Sequence, residues 1–228
     1  GGSHSLALSN TGTVYAWGSN TYGQLGDNTT TNRLVPVQVK GVGGSGTLTS
    51  ITAISAGTSH SLAANGSGAA YAWGLNSSSQ LGDTTTTQQN APVRVRAVSG
   101  TGNLTGIKSV AAGETHSLAV TTTGLMYAWG YNSKGELGDG TTTSTVRPVK
   151  VSLPVGVTVS AADAGTELSV ALTSSGQALA WGWNNSGQLG DSSTTNRTAP
   201  VTVSLPAGTT ATAVAAGRAH SLSVTVAS

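Results

Sequence analysis

Four histidines recur along the chain, and each is followed directly by a serine. They are His4, His60, His116 and His220. A histidine beside a serine has the residue types of a base and a nucleophile, but consecutive side chains of a strand point to opposite faces. We therefore expect structural histidines, such as His60 and His116, that hydrogen-bond a neighbouring repeat. A ring of histidines that ligates a metal is the alternative.

The acidic residues are dispersed, and one Asp closes each copy of a recurring motif. Two of these, Asp83 and Asp139, precede Thr-rich loops, so we expect them to accept backbone N–H bonds there. Calcium ligation is the alternative, although a single carboxylate per repeat lacks the Asp-x-Asp spacing of a calcium loop. The sequence also lacks a phosphate-binding loop with a Lys, zinc spacing and a nucleophile elbow. It predicts no catalytic, cofactor or metal site, and hence a non-enzymatic protein.

The composition narrows the classes of partner. Only 8% of the residues are charged, the net charge is +2, and the Lys and Arg residues are scattered, so nucleic acid is an improbable ligand. No apolar run is long enough to insert into a membrane. The 32 Gly and the many Ser, Thr and Asn predict a neutral, hydroxyl-rich surface. We expect an extracellular or cell-surface protein whose sequence opens inside a motif.

Internal repeats position these residues. An Ala-Trp-Gly triplet precedes each Asn-x-x-Gly/Ser-Gln/Glu-Leu-Gly-Asp motif, and the motifs are Asn20–Asp27, Asn76–Asp83, Asn132–Asp139 and Asn184–Asp191. The four Trp of these triplets, at intervals of 56, 56 and 52 residues, are Trp17, Trp73, Trp129 and Trp181. A second motif, Gly-x-x-His-Ser-Leu, recurs in the same phase and has lost its His at Leu168. The chain reads as one array, with partial units at 1–27 and 192–228 and repeats at about 28–83, 84–139 and 140–191.

Each repeat contains short runs rich in Val, Ile, Tyr and Trp that are bounded by turn residues, which is typical of strands. In one unit these runs are Pro92–Val95, Ile107–Ala111, His116–Val120 and Leu125–Trp129. The segments Ser9–Gly12 and Thr121–Gly124 predict hairpin turns with positive φ at Gly. The count is two strands, three units of four and three strands, 17 in all. This predicts an all-β propeller of four-stranded antiparallel blades, about four of them.

The repeats resemble those of the regulator of chromosome condensation family. The matching segments of one unit are Ala112–Ser117, Trp129–Gly138, Thr141–Thr143 and Pro148–Val149. The resemblance covers nearly the whole chain and implies a propeller, usually of seven blades. Its members include exchange factors for a small nuclear GTPase, chromatin-binding proteins, bacterial inhibitors of β-lactamase and extracellular repeats, and we expect a bacterial or environmental, extracellular-type member. Seventeen strands close no such ring, so we expect a larger propeller or one completed by another chain, with its open edge covered.

The Trp in each repeat is expected to pack between blades, and a ligand-stacking role is the alternative. Binding should instead use positions that differ between repeats, because the constant positions hold the scaffold. These are the second residue after each Trp and the two residues before each His. The candidates for binding are Leu75, Glu114, Tyr131, Glu167, Trp183 and Arg218. Neutral variation on a solvated rim is the alternative for this set.

Two functions follow from these observations. The first is an extracellular interaction or structural module, part of a surface, adhesive or filament-forming protein that binds a protein partner or itself. The second is a specific protein-binding propeller that acts as an enzyme inhibitor or a GTPase regulator. Glycosylation is expected only if the protein is secreted from a glycosylating cell, and the sequons are at Asn28, Asn65, Asn76, Asn103, Asn184 and Asn196.

Overall fold

The structure is a computed structural model that describes residues 1–227. These residues form 17 β-strands in five antiparallel sheets, and the strands of each sheet lie side by side in chain order. The first sheet contains β1 (His4–Leu8), β2 (Val14–Gly18) and β3 (Arg33–Gln38). A 3₁₀ turn at Val42–Gly44 leads to the second sheet.

The next three sheets have four strands each, and the last has two. The second sheet contains β4 (Ile51–Ala56), β5 (His60–Asn65), β6 (Ala70–Gly74) and β7 (Gln89–Arg94). The third contains β8 (Ile107–Ala112), β9 (His116–Thr121), β10 (Met126–Gly130) and β11 (Thr145–Lys150). The fourth contains β12 (Val159–Ala164), β13 (Leu168–Thr173), β14 (Ala178–Gly182) and β15 (Arg197–Thr202). The fifth contains β16 (Thr209–Ala216) and β17 (Ser221–Ala227).

This arrangement confirms the predicted fold class. The first strands of successive sheets contact one another in order, from β4 to β8, β12 and β16, so they lie at the centre of the array. No sheet among residues 1–227 joins the two ends, and the arrangement is that of part of a propeller.

The predicted grouping of strands within a unit is wrong by one strand. The run that contains Pro92 was grouped with the strands after it, but β7 pairs with β6 in the second sheet. The described chain therefore begins with three strands and ends with two. The physical reason is the loop between β6 and β7, which returns the chain antiparallel to β6, whereas the segment after β7 crosses to the next sheet. Pro92 has no N–H to donate, and a strand at the sheet edge tolerates this.

Buried tryptophans fill the spaces between sheets. Trp73, Trp129 and Trp181 are all 0% exposed, and each belongs to a separate apolar cluster shared by two sheets. Trp181, for example, packs with Leu118 and Val120 of β9, in the preceding sheet. Trp17 is half-buried in the first sheet. The core is thus a series of repeated interfaces.

Close backbone contact near the centre of the array explains one constant glycine. The amide of Glu114 donates to the Gly165 carbonyl at 3.1 Å, which ties the third sheet to the fourth. A Cβ on Gly113 would lie 2.6 Å from that same carbonyl oxygen. Only a residue without a side chain allows the two turns to approach so closely.

Replacement of Trp181 by Ala is expected to lower the free energy of unfolding by about 3–5 kcal/mol, because it leaves a cavity between two sheets. Trp183, two residues further on, is half-buried, so Trp183→Ala should cost less than about 1 kcal/mol. Urea denaturation of both variants measures the difference. Equal losses for the two would contradict the assignment of Trp181 to the core.

Candidate functional site

A main-chain carbonyl joins each sheet to the next. The Gln24 carbonyl accepts hydrogen bonds from Trp73 Nε1 at 2.9 Å and from Ser61 Oγ at 2.8 Å, both in the second sheet. The His4 Nε2 atom lies 2.9 Å from the same Ser61 hydroxyl. The same contacts recur between the second and third sheets, through Gln80, Ser117, Trp129 and His60. They recur again between the third and fourth sheets, through Glu136, Ser169, Trp181 and His116. We call this set of contacts the junction.

The junction fixes the tautomer of each histidine. A serine hydroxyl has one proton, and Ser117 donates it to the Gln80 carbonyl at 2.7 Å. His60 Nε2, 3.0 Å from that hydroxyl, must therefore be the donor, so the ring carries a proton on Nε2. The Nδ1 atoms of His60 and His116 are buried without a hydrogen-bond partner among the described residues. Burial lowers the pKa of His60 to about 3 and that of His116 to about 4.

The fourth junction works without a histidine. Leu168 occupies the equivalent position and is fully buried, and Ser221 Oγ donates to the Gln188 carbonyl at 2.7 Å. The Ser-to-carbonyl bond is therefore independent of the imidazole. The chain thus contains its own tolerated replacement for His.

The motif loops are held by an Asn–Asp pair. The side chain of Asn76 donates to Asp83 Oδ1 and to the carbonyls of Thr85 and Thr87, and its Oδ1 accepts from the Leu81 amide. Asp83 accepts from the Thr85 amide at 2.9 Å, and Asp139 accepts from the Thr141 amide at 2.9 Å. Each loop is thereby closed on its own side chains. No cluster of three or more His, Cys, Asp or Glu suitable for a metal ion occurs among residues 1–227.

The same loops bear on glycosylation. Asn76 and Asn184 are 0% exposed, and the side-chain amide nitrogens of both donate within their loops. A glycan on either of these two side chains would displace these hydrogen bonds. The remaining sequon asparagines are exposed or half-buried: Asn28, Asn65, Asn103 and Asn196.

Backbone hydrogen bonds bring the variable positions together on one face. The Leu75 amide donates to the Ser59 carbonyl at 2.9 Å, the Tyr131 amide to Thr115 at 3.0 Å, and the Trp183 amide to Glu167 at 2.8 Å. In each case the residue two places after the Trp meets the residue just before the His position. We call the surface formed by these paired positions the variable face. Each pair consists of the residue two places after a tryptophan and the residue directly before a junction His position.

One pocket of the variable face unites three of the six predicted binding residues. Glu114, Tyr131 and Glu167 line a cavity of about 290 Å³ together with Ser78, Thr115 and Thr166. Tyr131 is 37% exposed, and both glutamates are half-buried. This pocket is the candidate site.

The other three predicted residues lie elsewhere. Leu75 and Trp183 are half-buried on the variable face and do not line this pocket. Arg218 is exposed and, with Glu114, lines a wider cavity of about 750 Å³ where the Gly turns of all five sheets meet. Glu114 is shared by the two cavities.

Glu136 was missed as a candidate because it occupies a constant motif position. The equivalent residues are Gln24, Gln80 and Gln188. Glu136 is 1% exposed, its Oε2 accepts from the Lys134 amide at 2.8 Å, and its Oε1 has no partner within residues 1–227. Burial raises the pKa of the Glu136 carboxyl, and the negative charge of Glu167 adds to this effect. The signal in the sequence is a single Glu where the other repeats have Gln.

A further cavity, of about 460 Å³, adjoins the fifth sheet and is lined by Gln188, Gly190 and His220. Gln188 and Gly190 correspond to Glu136 and Gly138 of the preceding repeat, where the indole of Trp181 packs. This cavity therefore belongs to the repeated packing between sheets.

No helix among the described residues is long and apolar enough to cross a membrane.

The chain matches the RCC1-like domain family over residues 1–226. It is similar to the ultraviolet-B receptor UVR8 of Arabidopsis thaliana, with 33% identity over 98% of this chain and 49% of that protein. The fold is similar to that of human WBSCR16, with a TM-score of 0.85, 26% identity and coverage of 99% of this chain and 56% of that one. It is also similar to yeast RCC1 (Prp20) in a crystal structure with Kap60, with a TM-score of 0.82, 25% identity and coverage of 99% and 52%.

The chain spans about half the length of UVR8. These similar proteins come from Arabidopsis thaliana, human and yeast, so they give no support to the expected bacterial or environmental, extracellular-type origin.

Stability is expected to fall as the pH drops below about 6.5. Above that value both folded and unfolded histidines are neutral, but the unfolded chain takes up protons between pH 6.5 and about 4 while folded His60 and His116 do not. The loss is on the order of a few kcal/mol by pH 4, at about 1.4 kcal/mol per pKa unit. Urea unfolding between pH 7.5 and 4 measures it.

The matched variant is His116→Leu, which copies Leu168 of the fourth junction. Its free energy of unfolding should depend less on pH than that of the parent chain over the same range. An unchanged slope would show that His116 does not carry the effect.

Proposed function

The chain belongs to the RCC1-like domain family, which agrees with the resemblance seen in the sequence, and we propose that it is a non-catalytic protein-binding module that uses the variable face. One observation carries the proposal. Residues that differ between repeats are paired by backbone hydrogen bonds on one side of a scaffold whose own contacts recur at each junction. Binding proteins commonly place changing side chains on a constant scaffold in this way.

The chemistry of the variable face suits a protein partner. Leu75, Tyr131 and Trp183 supply apolar and aromatic side chains, and Tyr and Trp are enriched at the energetic centres of interfaces. Glu114 and Glu167 add charge beside Tyr131. Aromatic and acidic groups spread over several repeats favour recognition of another protein surface over the enclosure of a small molecule.

Of the two functions that the sequence left open, regulation of a partner protein is favoured. UVR8 is named a receptor, and yeast RCC1 (Prp20) is seen bound to Kap60. We propose by analogy that this chain binds an enzyme or a GTPase and modulates it. The structural or filament-forming role, and the extracellular or cell-surface location, stay predictions from composition.

Replacement of Leu75, Tyr131 and Trp183 by Ser should abolish binding of the natural partner, because these side chains form the apolar part of the variable face. The matched control replaces Leu34, Val35 and Val155, exposed residues away from the variable face, by Ser. Each purified chain is used to capture proteins from the source cells, and bound proteins are quantified by mass spectrometry. The parent and the control should retain one stoichiometric protein that the face variant loses.

Reconstitution with that purified protein, measured by titration calorimetry, should reproduce the difference. Sedimentation of the parent chain alone tests self-association by the same face. If no protein, including a second copy of the chain, distinguishes the face variant from the control, the variable face is not a protein-binding surface.

A further inference from the structure

All glutamates of the chain converge on one place. The sequence contains three, Glu114, Glu136 and Glu167, separated by 22 and 31 residues. Glu114 and Glu167 line the pocket of the variable face, and Glu136 is close enough to Glu167 for the charge of one to act on the other. Neither salt bridge among the described residues involves a glutamate. A chain with a net charge of +2 thus concentrates negative charge around one small pocket.

The orientation of Glu136 follows from its equivalent in the first repeat. There, Gln24 Oε1 accepts from the Tyr22 amide, and Gln24 Nε2 lies 3.5 Å from Ser19 Oγ. Glu136 Oε2 makes the corresponding bond to the Lys134 amide. Its free Oε1 therefore occupies the place of Gln24 Nε2, next to position 131, the equivalent of Ser19. Glu136 does not line the pocket itself, but it lies close enough to Glu167 for their charges to interact.

A buried carboxylate without a partner is unfavourable, and a framework role does not require it. Gln80 and Gln188 occupy the same position and make the same bond to the backbone, at 2.9 Å in both repeats. Their Nε2 atoms are likewise buried without a partner among the described residues, so only its acidic group sets Glu136 apart. An ionised Glu in this position is therefore less stable than a Gln unless a positive charge comes close. Lys134 contributes a positive charge from the same loop, yet its effect on Glu136 is smaller than that of burial.

The shape of the site selects the kind of cation. The described residues contain no group of three His, Cys, Asp or Glu with the spacing for a metal ion, so the glutamates are too widely spread for one metal. A cavity of about 290 Å³ has room for a long cationic side chain. The ring of Tyr131 offers a surface on which a planar guanidinium can stack.

We propose that the pocket between Glu114, Tyr131 and Glu167 binds an arginine side chain of the partner protein, and that the buried Glu136 close to Glu167 adds negative charge to it. This inference rests on the proposed function of the variable face. The guanidinium stacks on Tyr131 and donates to the carboxylates of Glu114 and Glu167. It also compensates the charge of Glu136.

The probe is the blocked peptide acetyl-Gly-Gly-Arg-Gly-Gly-amide, titrated into the folded chain and followed by nitrogen-15 NMR at low salt. Saturable shifts are expected at Tyr131 and at the loops of the pocket. The same peptide with citrulline, a neutral isostere of arginine, should give none. A lysine peptide should bind at least about threefold more weakly, because an ammonium group lacks the planar fork.

The variants exchange residues between repeats, so each new side chain already occurs at the equivalent position. Glu136→Gln copies Gln80, Glu167→Ser copies Ser59, and Tyr131→Leu copies Leu75. Each should weaken binding of the arginine peptide by about three- to tenfold. Glu136→Gln should at the same time leave the urea midpoint unchanged or raised, which separates loss of binding from loss of folding.

The matched control is Gln24→Glu, which places the same carboxylate in the first repeat, where Ser19 occupies the position of Tyr131 and Ser59 that of Glu167. It should leave binding of the arginine peptide unchanged, because no residue of the pocket belongs to that repeat. Saturable binding of Ca²⁺, equal affinity for the citrulline or lysine peptide, or indifference to all three site variants would overturn the arginine assignment. If the arginine peptide does not bind as expected but the variable-face variant still loses a protein partner, the proposed function stands and only the arginine pocket is wrong.

Discussion

The architecture depends on one shared acceptor, the main-chain carbonyl of the Gln or Glu in each motif loop. At 2.8–2.9 Å the Gln24 carbonyl accepts both the indole N–H of Trp73 and the hydroxyl of Ser61, so one atom connects a loop to two strands of the next sheet. Buried donors need such partners, and the Trp brings most of the apolar surface to the interface. The neutral histidine, the central glycine and the closed Asn–Asp loop all serve this contact.

The rigid junctions hold the backbone of the variable face in a fixed position. Because the loop and the Gly turn are both held by the same interface, the residues between them meet at fixed backbone distances whatever their side chains are. Leu75, Tyr131 and Trp183 can therefore differ without disturbing the packing below. In a surface of this kind, substitutions within a single repeat change the binding specificity. The two glutamates that line the pocket with Tyr131 show the largest such departure.

The fold was largely predictable because the repeats present the same pattern several times. Trp spacing, Gly-bounded turns and short Val-rich runs gave the number of strands and the class of architecture. The grouping of strands was wrong because a sequence repeat gives the length of a unit but not the residue at which a sheet begins. The loop before β7 decides that β7 pairs with β6. Glu136 was missed for a related reason. As a member of a constant motif it looked like framework, and only the folded chain places it close to Glu167.

Hydrogen exchange of the tryptophan indoles tests the junction most directly, since the chain has 5 Trp and each indole N–H is a separate NMR signal. The account predicts that the indole protons of Trp73, Trp129 and Trp181 exchange as slowly as the most protected backbone amides of their sheets. The indole proton of half-buried Trp183 should exchange much faster. Exchange of Trp129 at the rate of Trp183 would mean that the indole does not hold adjacent sheets together, and the variable face would lose its rigid support.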